Sequence, residues 1–315
     1  GILRTGSGGM YAVFTPFARA FHRQAGAPAP LLAPRTLPPL PRELEAEAGV
    51  TWADSGGSAV ERLSEFLAER LEGYGQGRNA VGRQGISRLS GDLRSGELSV
   101  AALWRAVADR REPGLEADVQ AYLNELLWRE FAHQVLWERP ELVTVPFRPA
   151  WTGFPWRDDP GALEAWKTGR TGYPVVDAAA RELLATGFVH NRARMVAASF
   201  LTKHLLLDWR QGERHYRDHL VDGCAAANSL NWQWSAGCGV DAQPWFRIFH
   251  PTTQGQKFDH EGAYVRRWIP ELRDVPDRFL WTPHAWGRPL DYPEPVVDHG
   301  AARARFLAVA KGFLG

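Results

Sequence analysis

The chain has 315 residues, of which 44% are hydrophobic and 23% charged, so it can bury a sizeable core and is too apolar for intrinsic disorder. Its 37 Lys and Arg stand against 36 Asp and Glu for a net charge of +1, which excludes a basic nucleic-acid tail and leaves any polyanion or membrane affinity to local placement of charge. Cys224 and Cys238 are the two cysteines, too few for a disulfide framework or a cysteine-rich zinc site, and they suit a reducing cytoplasm. No apolar run reaches the roughly 18 residues of a membrane span. The fourteen tryptophans are a dense supply of large aromatic faces.

Gly1 to Gly9 carry no charged segment followed by an apolar one, so no signal peptide is expected. The prolines between Pro28 and Pro41 forbid a helix and favour an extended strap. Beyond it, Ser58-Ala59-Val60-Glu61 forms a capping box ahead of Val60, Leu63, Phe66, Leu67 and Leu71 at helical spacing. The same logic predicts helices over 99–110, with Ser99 as cap and Leu103 and Val107 inward, over 115–137, and over 174–186 with Gly187 as stop. Further helices are expected over 190–207, 213–222, 261–268 and 300–312, with short helices and loops mixed over 224–258. Strand signals are almost absent, and the expected fold class is all-α.

Several clusters carry polar chemistry. Gly73-Tyr74-Gly75-Gln76-Gly77 lacks the preceding strand and following Lys-Ser/Thr of a phosphate loop and reads as a glycine helix stop. Ser87 and Ser90, with Arg88 between them and a helix after, can bond phosphate oxygens or simply cap. Glu125, Trp128 and Arg129 share one helical face. Asn191, Arg192 and Met195 line one side of their helix, and Arg194 turns to another. Asp222 and Asn228 offer an acceptor and an amide, and Trp232 and Trp234 face different environments. No HExxH, CxxC or triad spacing appears, so ordinary hydrolase and metalloenzyme chemistry loses ground and no metal is expected.

These motifs accumulate in an order that resembles the helical flavin-binding domain of DNA photolyases and cryptochromes, most closely class I cyclobutane pyrimidine dimer photolyases. From roughly Arg4 to Leu307 they are Arg4 to Gly8 with Val13 to Phe17, Glu125 to Phe131, Thr171 to Pro174 with Val176-Asp177-Ala178, and His190 to Met195. Asp208-Trp209-Arg210, Asn231 to Trp234, and Arg247-Ile248-Phe249 leading to Lys257-Phe258-Asp259 follow. The resemblance implies a linker remnant and strap over 1–57 and a helical FAD-binding domain over 58–315. The chain opens where the family's α/β antenna domain would hand over, so no antenna chromophore is expected.

The resemblance also implies non-covalent FAD, with phosphates and ribityl chain near Tyr74, Ser87, Arg88, Leu89, Ser90 and Tyr122. The isoalloxazine would lie near Arg129, Arg194, Asp222 and Asn228, whose amide would favour the reduced state, and Gly223 and Cys224 are implied as further cofactor-binding residues. Trp156, Trp209 and Trp232 match an electron-hopping chain. A flipped pyrimidine dimer in double- or single-stranded DNA, held by a monomeric protein, would meet Trp128 and Trp234 as an apolar wedge and Glu125 at its base edge. Asn191 and Met195 would complete its pocket, and Arg78, Arg192, Gln254 and Lys257 would contact the backbone. The implied activity is light-driven dimer repair, with a signalling cryptochrome or a flavin-free DNA-binding remnant as alternatives.

Three departures stand out: Ile86 replaces a threonine, Gly91-Asp92 replaces Pro-Tyr, and Cys224 replaces the second acid of Asp-Gly-Asp. They predict a lost phosphate hydroxyl, an acid unfavourable near the phosphates if it points inward, and weaker hold on FAD.

Overall fold

The computed structural model describes residues 3–24 and 58–315; the proline strap lies outside the described residues. Among them the secondary structure is helical, with one isolated bridge between Arg157 and Leu207. Helix α1 is Phe14–Gln24, α2 Ala59–Glu69, α3 Tyr74–Gly77, α4 Ser90–Ser95, α5 Val100–Ala108 and α6 Glu116–Glu138. After Pro160–Thr168 (α7) come Pro174–Thr186 (α8), Asn191–Ser199 (α9), Trp209–His219 (α10) and Ala225–Ala236 (α11). Pro251–Phe258 (α12), Ala263–Trp268 (α13) and His299–Leu314 (α14) complete the order.

The expected capping box starts α2: Ser58 accepts from the Glu61 amide at 3.3 Å, and Glu61 accepts from the Ser58 amide at 2.6 Å. Leu63 and Phe66 then turn inward, but Val60 is 65% exposed, so the apolar stripe is one residue narrower than the periodicity predicts. Gly73 to Gly77 do more than stop a helix: α2 ends at Glu69, and Gly73, at φ 74°, opens the short α3.

Around 200 the single predicted helix splits. α9 ends at Ser199, Phe200–His204 forms a π-helical turn, and Thr202 bonds back to the Ala198 carbonyl at 2.8 Å. The next helix spans 209–219, earlier than predicted, because Asp208 caps it through the Arg210 amide at 3.0 Å. Leu220 leaves it in an extended conformation, and Asp222 is thereby outside the helix. The 224–258 stretch holds a full 12-residue helix, α11, besides the shorter α12.

Three apolar cores hold the helices together. The largest joins α8, α9, α10 and the inner side of α11. A second packs α2, α3 and α5 against the first half of α6. In the third, Phe17 and Ala20 of α1 pack with Phe131, Ala132 and Leu230, so residues 3–24 belong to the same body. Burying such side chains is worth about 1.5–3 kcal/mol each. The Thr171-Gly172-Tyr173-Pro174 motif is a structural lock: Asp177 is fully buried and accepts from the Thr171 amide and hydroxyl, the Gly172 amide and the Tyr292 hydroxyl at 2.5–3.0 Å.

Candidate flavin site and nucleic-acid rim

Two stretches of chain, 185–195 and 219–229, are tied together and carry several of the residues expected at the flavin. His190 caps α9 by accepting the Arg192 amide on Nδ1 at 3.1 Å. One turn on, Arg194 donates to both Asp222 oxygens at 3.1 and 2.8 Å and to the Val189 carbonyl at 2.6 Å. Burial works against that guanidinium, but the Asp222 carboxylate holds its pKa above the usual arginine value. The expected division of α9 holds, since Arg192 instead hydrogen-bonds Asn79 and lies over the Phe258 ring at 4.4 Å.

Asn228, nearly buried, donates through Nδ2 to the Glu213 carbonyl at 2.9 Å and the Glu213 carboxylate at 3.0 Å. Both amide hydrogens are spent, so its free polar atom is the acceptor Oδ1. Glu213 carries no signal in sequence beyond an i, i+4 pairing with Arg217. Cys224 lies 3.4 Å from His133, a partner the sequence does not reveal. Arg129 bonds Glu130 at 2.7 Å. A Cβ on Gly223 would sit 2.8 Å from the Leu220 carbonyl, so only glycine fits this turn.

The residues expected at the FAD phosphates lie in and around the Ser87 loop. Tyr122 donates to the Ser87 hydroxyl at 3.0 Å, and burial pushes the phenols of Tyr74 and Tyr122 upward. Arg88 adopts φ 57° and lies over the Phe188 ring. Leu89 is spent in the second core, whereas Ser90 is exposed at the start of α4. Asp92 corrects an expectation: although buried, it is bound by the Arg62 guanidinium on two atoms, so its charge is matched and does not oppose an anion. Behind the loop, Arg70, Ile86, Arg88, Glu182, His190 and Arg267 line a cavity of about 80 Å³.

The residues predicted to meet DNA are spread over α6, α9, α11 and α12 and the turn that follows α3. Arg78 and Glu125 form an ion pair at 2.7 Å; burial raises the Glu125 pKa, and Arg78 opposes that rise. Trp128 stacks on Phe14 at 3.7 Å and 8°, so α1 backs the predicted wedge. Trp234 is half-buried on the neighbouring α11, and Met195 is half-buried on α9. Asn191 and Lys257 are exposed, Gln254 is half-buried, and Lys257 shares the Phe258 ring with Arg192. Arg192 of α9 and Lys257 of α12 are thus brought together on one ring.

Trp209 and Trp232 are fully buried and Trp156 half-buried. Trp232 lies against Gly212, one turn along α10 from Trp209, and its ring contacts are Trp166 at 5.8 Å and Tyr216 at 5.1 Å. Those two rings were not singled out by the sequence.

A bound dinucleotide needs donors for its diphosphate, a polar edge for its ring and apolar walls, and this set supplies them. Arg194, Arg192, Arg78 and Arg88 surround His190, whose pKa burial and these charges lower to about 4. Its Nε2 is buried without a partner among the described residues. Arg194 and Arg78 are matched by Asp222 and Glu125, so the donor capacity left for a diphosphate lies in the His190 Nε2 and the Arg192 Nε, unpartnered among the described residues, and Asp222 and the Asn228 Oδ1 fit the polar edge of a flavin.

The fold and this donor set define an all-helical flavin-binding domain. The family described as the FAD binding domain of DNA photolyase matches residues 122–312. The chain is 41% identical to the deoxyribodipyrimidine photo-lyase of Agrobacterium fabrum over 97% of its length and 70% of that protein. It superposes on a bacterial class III photolyase from Agrobacterium tumefaciens with a TM-score of 0.87 at 40% identity, covering 99% of this chain and 70% of that one. A Synechocystis cryptochrome matches with a TM-score of 0.81 at 29% identity, covering 95% and 68%. The chain belongs to the DNA photolyase family, and it is an enzyme of that family with FAD as its cofactor. The expected class I placement is finer than these likenesses carry. Among the described residues, no helix is long and apolar enough to cross a membrane.

Proposed function

We propose that this chain repairs cyclobutane pyrimidine dimers in DNA by light. What supports the reading is that the residues expected at the flavin are held in two largely buried polar pairs, Arg194–Asp222 and Asn228–Glu213, while Glu125, Trp128 and Arg192, expected at the DNA, keep part of their surface exposed. When bound, reduced FAD supplies an excited-state electron that splits the two C–C bonds of the dimer and is then returned, with no net redox change.

The chain's own residues prepare that event. The Asn228 Oδ1, with Nδ2 locked by Glu213, is an acceptor suited to a protonated flavin N5 and so favours the reduced form. Trp128, stiffened by Phe14, and Trp234 replace the stacking that a flipped dimer loses, which offsets part of an unstacking cost of a few kcal/mol. Glu125 accepts from a base edge, exchanging part of its ion pair with Arg78. Arg192, Gln254 and Lys257 hold the backbone in a sequence-blind, salt-dependent way. Trp156, half-exposed, and the buried Trp209 and Trp232 carry electrons inward from the surface to regenerate the reduced flavin.

The test is repair of dimer-containing DNA by the purified, FAD-loaded chain under blue light, with Trp232→Phe alongside. Wild type is expected to restore intact pyrimidines. Trp232→Phe should slow flavin photoreduction at least tenfold while repair by chemically pre-reduced enzyme stays near wild type. Photoreduction without repair would make the chain a light sensor, and unchanged photoreduction would remove Trp232 from the path.

A further inference from the structure

Cys224 stands where the resemblance expects an acid, immediately before α11. Its Sγ lies 3.4 Å from Nε2 of His133 on α6. The His133 Nδ1 is 2.8 Å from the Arg129 carbonyl, a group that can only accept, so Nδ1 carries the proton and Nε2 presents a lone pair to the thiol. A nucleophile, a base within hydrogen-bond reach and a third group that orients the base form the arrangement in which a thiol surrenders its proton.

The electrostatics agree from both partners. Burial of Cys224 opposes ionisation, but the His133 hydrogen bond and the first amides of α11, those of Ala227 and Ala226, outweigh it and bring the thiol down to about 7. The same hydrogen bond raises the His133 pKa, against the opposing effect of burial and of the Arg129 charge. Arg129 is itself held by Glu130, Arg94 of α4 donates to the Gly223 carbonyl at 2.6 Å, and Asp222 is bound by Arg194, so these charged neighbours are already committed. Cys238 is the contrast within the same chain. It is fully buried, meets only the Gln233 carbonyl, and is pushed up to about 12 by burial.

We propose that Cys224 and His133 form an activated thiolate that hydroperoxides convert to a sulfenic acid, a modification site among the residues expected at the flavin. The thiolate sulfur attacks the terminal peroxide oxygen, and an S–O bond forms as the O–O bond breaks. Sulfur loses two electrons to the peroxide, and the leaving hydroxide or alkoxide takes the proton from His133 as water or alcohol. Half-exposure of Cys224 gives the peroxide access.

The full chain carrying FAD is treated with hydrogen peroxide, trapped with dimedone and mapped by peptide mass spectrometry, and its alkylation by iodoacetamide is followed against pH. Label is expected on Cys224 and absent from Cys238, with an alkylation rate half-maximal near pH 7. His133→Gln should slow alkylation at pH 7 about tenfold, because an unassisted thiol of pKa about 8.5 is only a few per cent ionised there. A half-maximal pH above 8, a rate indifferent to His133→Gln, or label confined to Cys238 would overturn the proposal. Should His133→Gln fail to fold, the pH profile of the unmutated chain decides.

Discussion

Around Trp232 the interior is filled to contact: a Cβ on Gly212 would come within 2.2 Å of its ring, and Trp166 and Tyr216 pack edge-on against it; elsewhere in the interior the carboxylates of Glu213 and Asp177 have their acceptors occupied. At the rim, by contrast, Arg78 and Glu125 hold each other through one ion pair, Lys257 and Asn191 face solvent, and Trp128 keeps one face open. The electron-carrying role proposed for Trp232 needs rings held at fixed separations, which close packing achieves. A surface that receives a nucleic-acid backbone needs charge that can exchange one partner for another at little cost, which half-exposed pairs allow.

The largest break in this contrast should come from the closed side. Asp177→Ala strands the Thr171 and Gly172 amides and the Tyr292 hydroxyl in the interior, and should cost about 3–5 kcal/mol in denaturant unfolding. A loss below 1 kcal/mol would show that water reaches the lock.

Acid should act on the interior too. Burial, first of all, lowers His190 to about 4, His204 to about 3 and His215 to about 4, against about 6.5 when unfolded. The unfolded chain therefore binds protons that the folded one refuses. Stability is fully present above pH 6.5 and falls as pH drops toward 4, by about 3 kcal/mol for His190 alone. Burial raises the carboxyl pKa values of Asp177, Glu182 and Asp259, which acts in the opposite sense, so the imidazoles are followed singly by NMR; a His190 ring that titrates near 6.5 in the folded chain would contradict its neutral burial.

Gly212→Ala overpacks the Trp232 ring and should cost about 1–3 kcal/mol in thermal unfolding; a neutral result would mean that the ring has room to shift. The smallest stability effect belongs to the rim. Trp128→Ala gives up the Phe14 stack, about 0.5–1.5 kcal/mol of folding stability, and should leave flavin content nearly unchanged while weakening binding of dimer-containing DNA by about 1–3 kcal/mol, measured by titration at fixed salt. Equal affinity would remove Trp128 from the wedge.

The difference between the sides also explains what could be foreseen. α6 and α8 match their predicted spans to within a residue at each end, because long amphipathic periodicity and the Gly187 stop are local signals. The π-helical turn after Ser199 and the early start of α10 were hidden, since a back-bonded Thr202 and a capping Asp208 look like ordinary helix and motif residues until their partners are placed. The same holds for the site: Arg194 and Asp222, 28 positions apart, were each foreseen as polar groups. Their pairing, the Glu213 clamp on Asn228, the Arg62 counterion of Asp92 and the His133 partner of Cys224 are contacts across 15 to 91 positions.

Sequence by itself determined the helical class, the family and the inventory of chemically able side chains, because periodicity, caps and ordered motifs are written into short stretches of chain. Tertiary structure alone decided which charges are matched, which hydrogen-bond donors are already spent and which thiol is poised to ionise. Those properties depend on distance and burial between residues remote along the chain, and a buried group takes its chemistry from the neighbours that packing supplies.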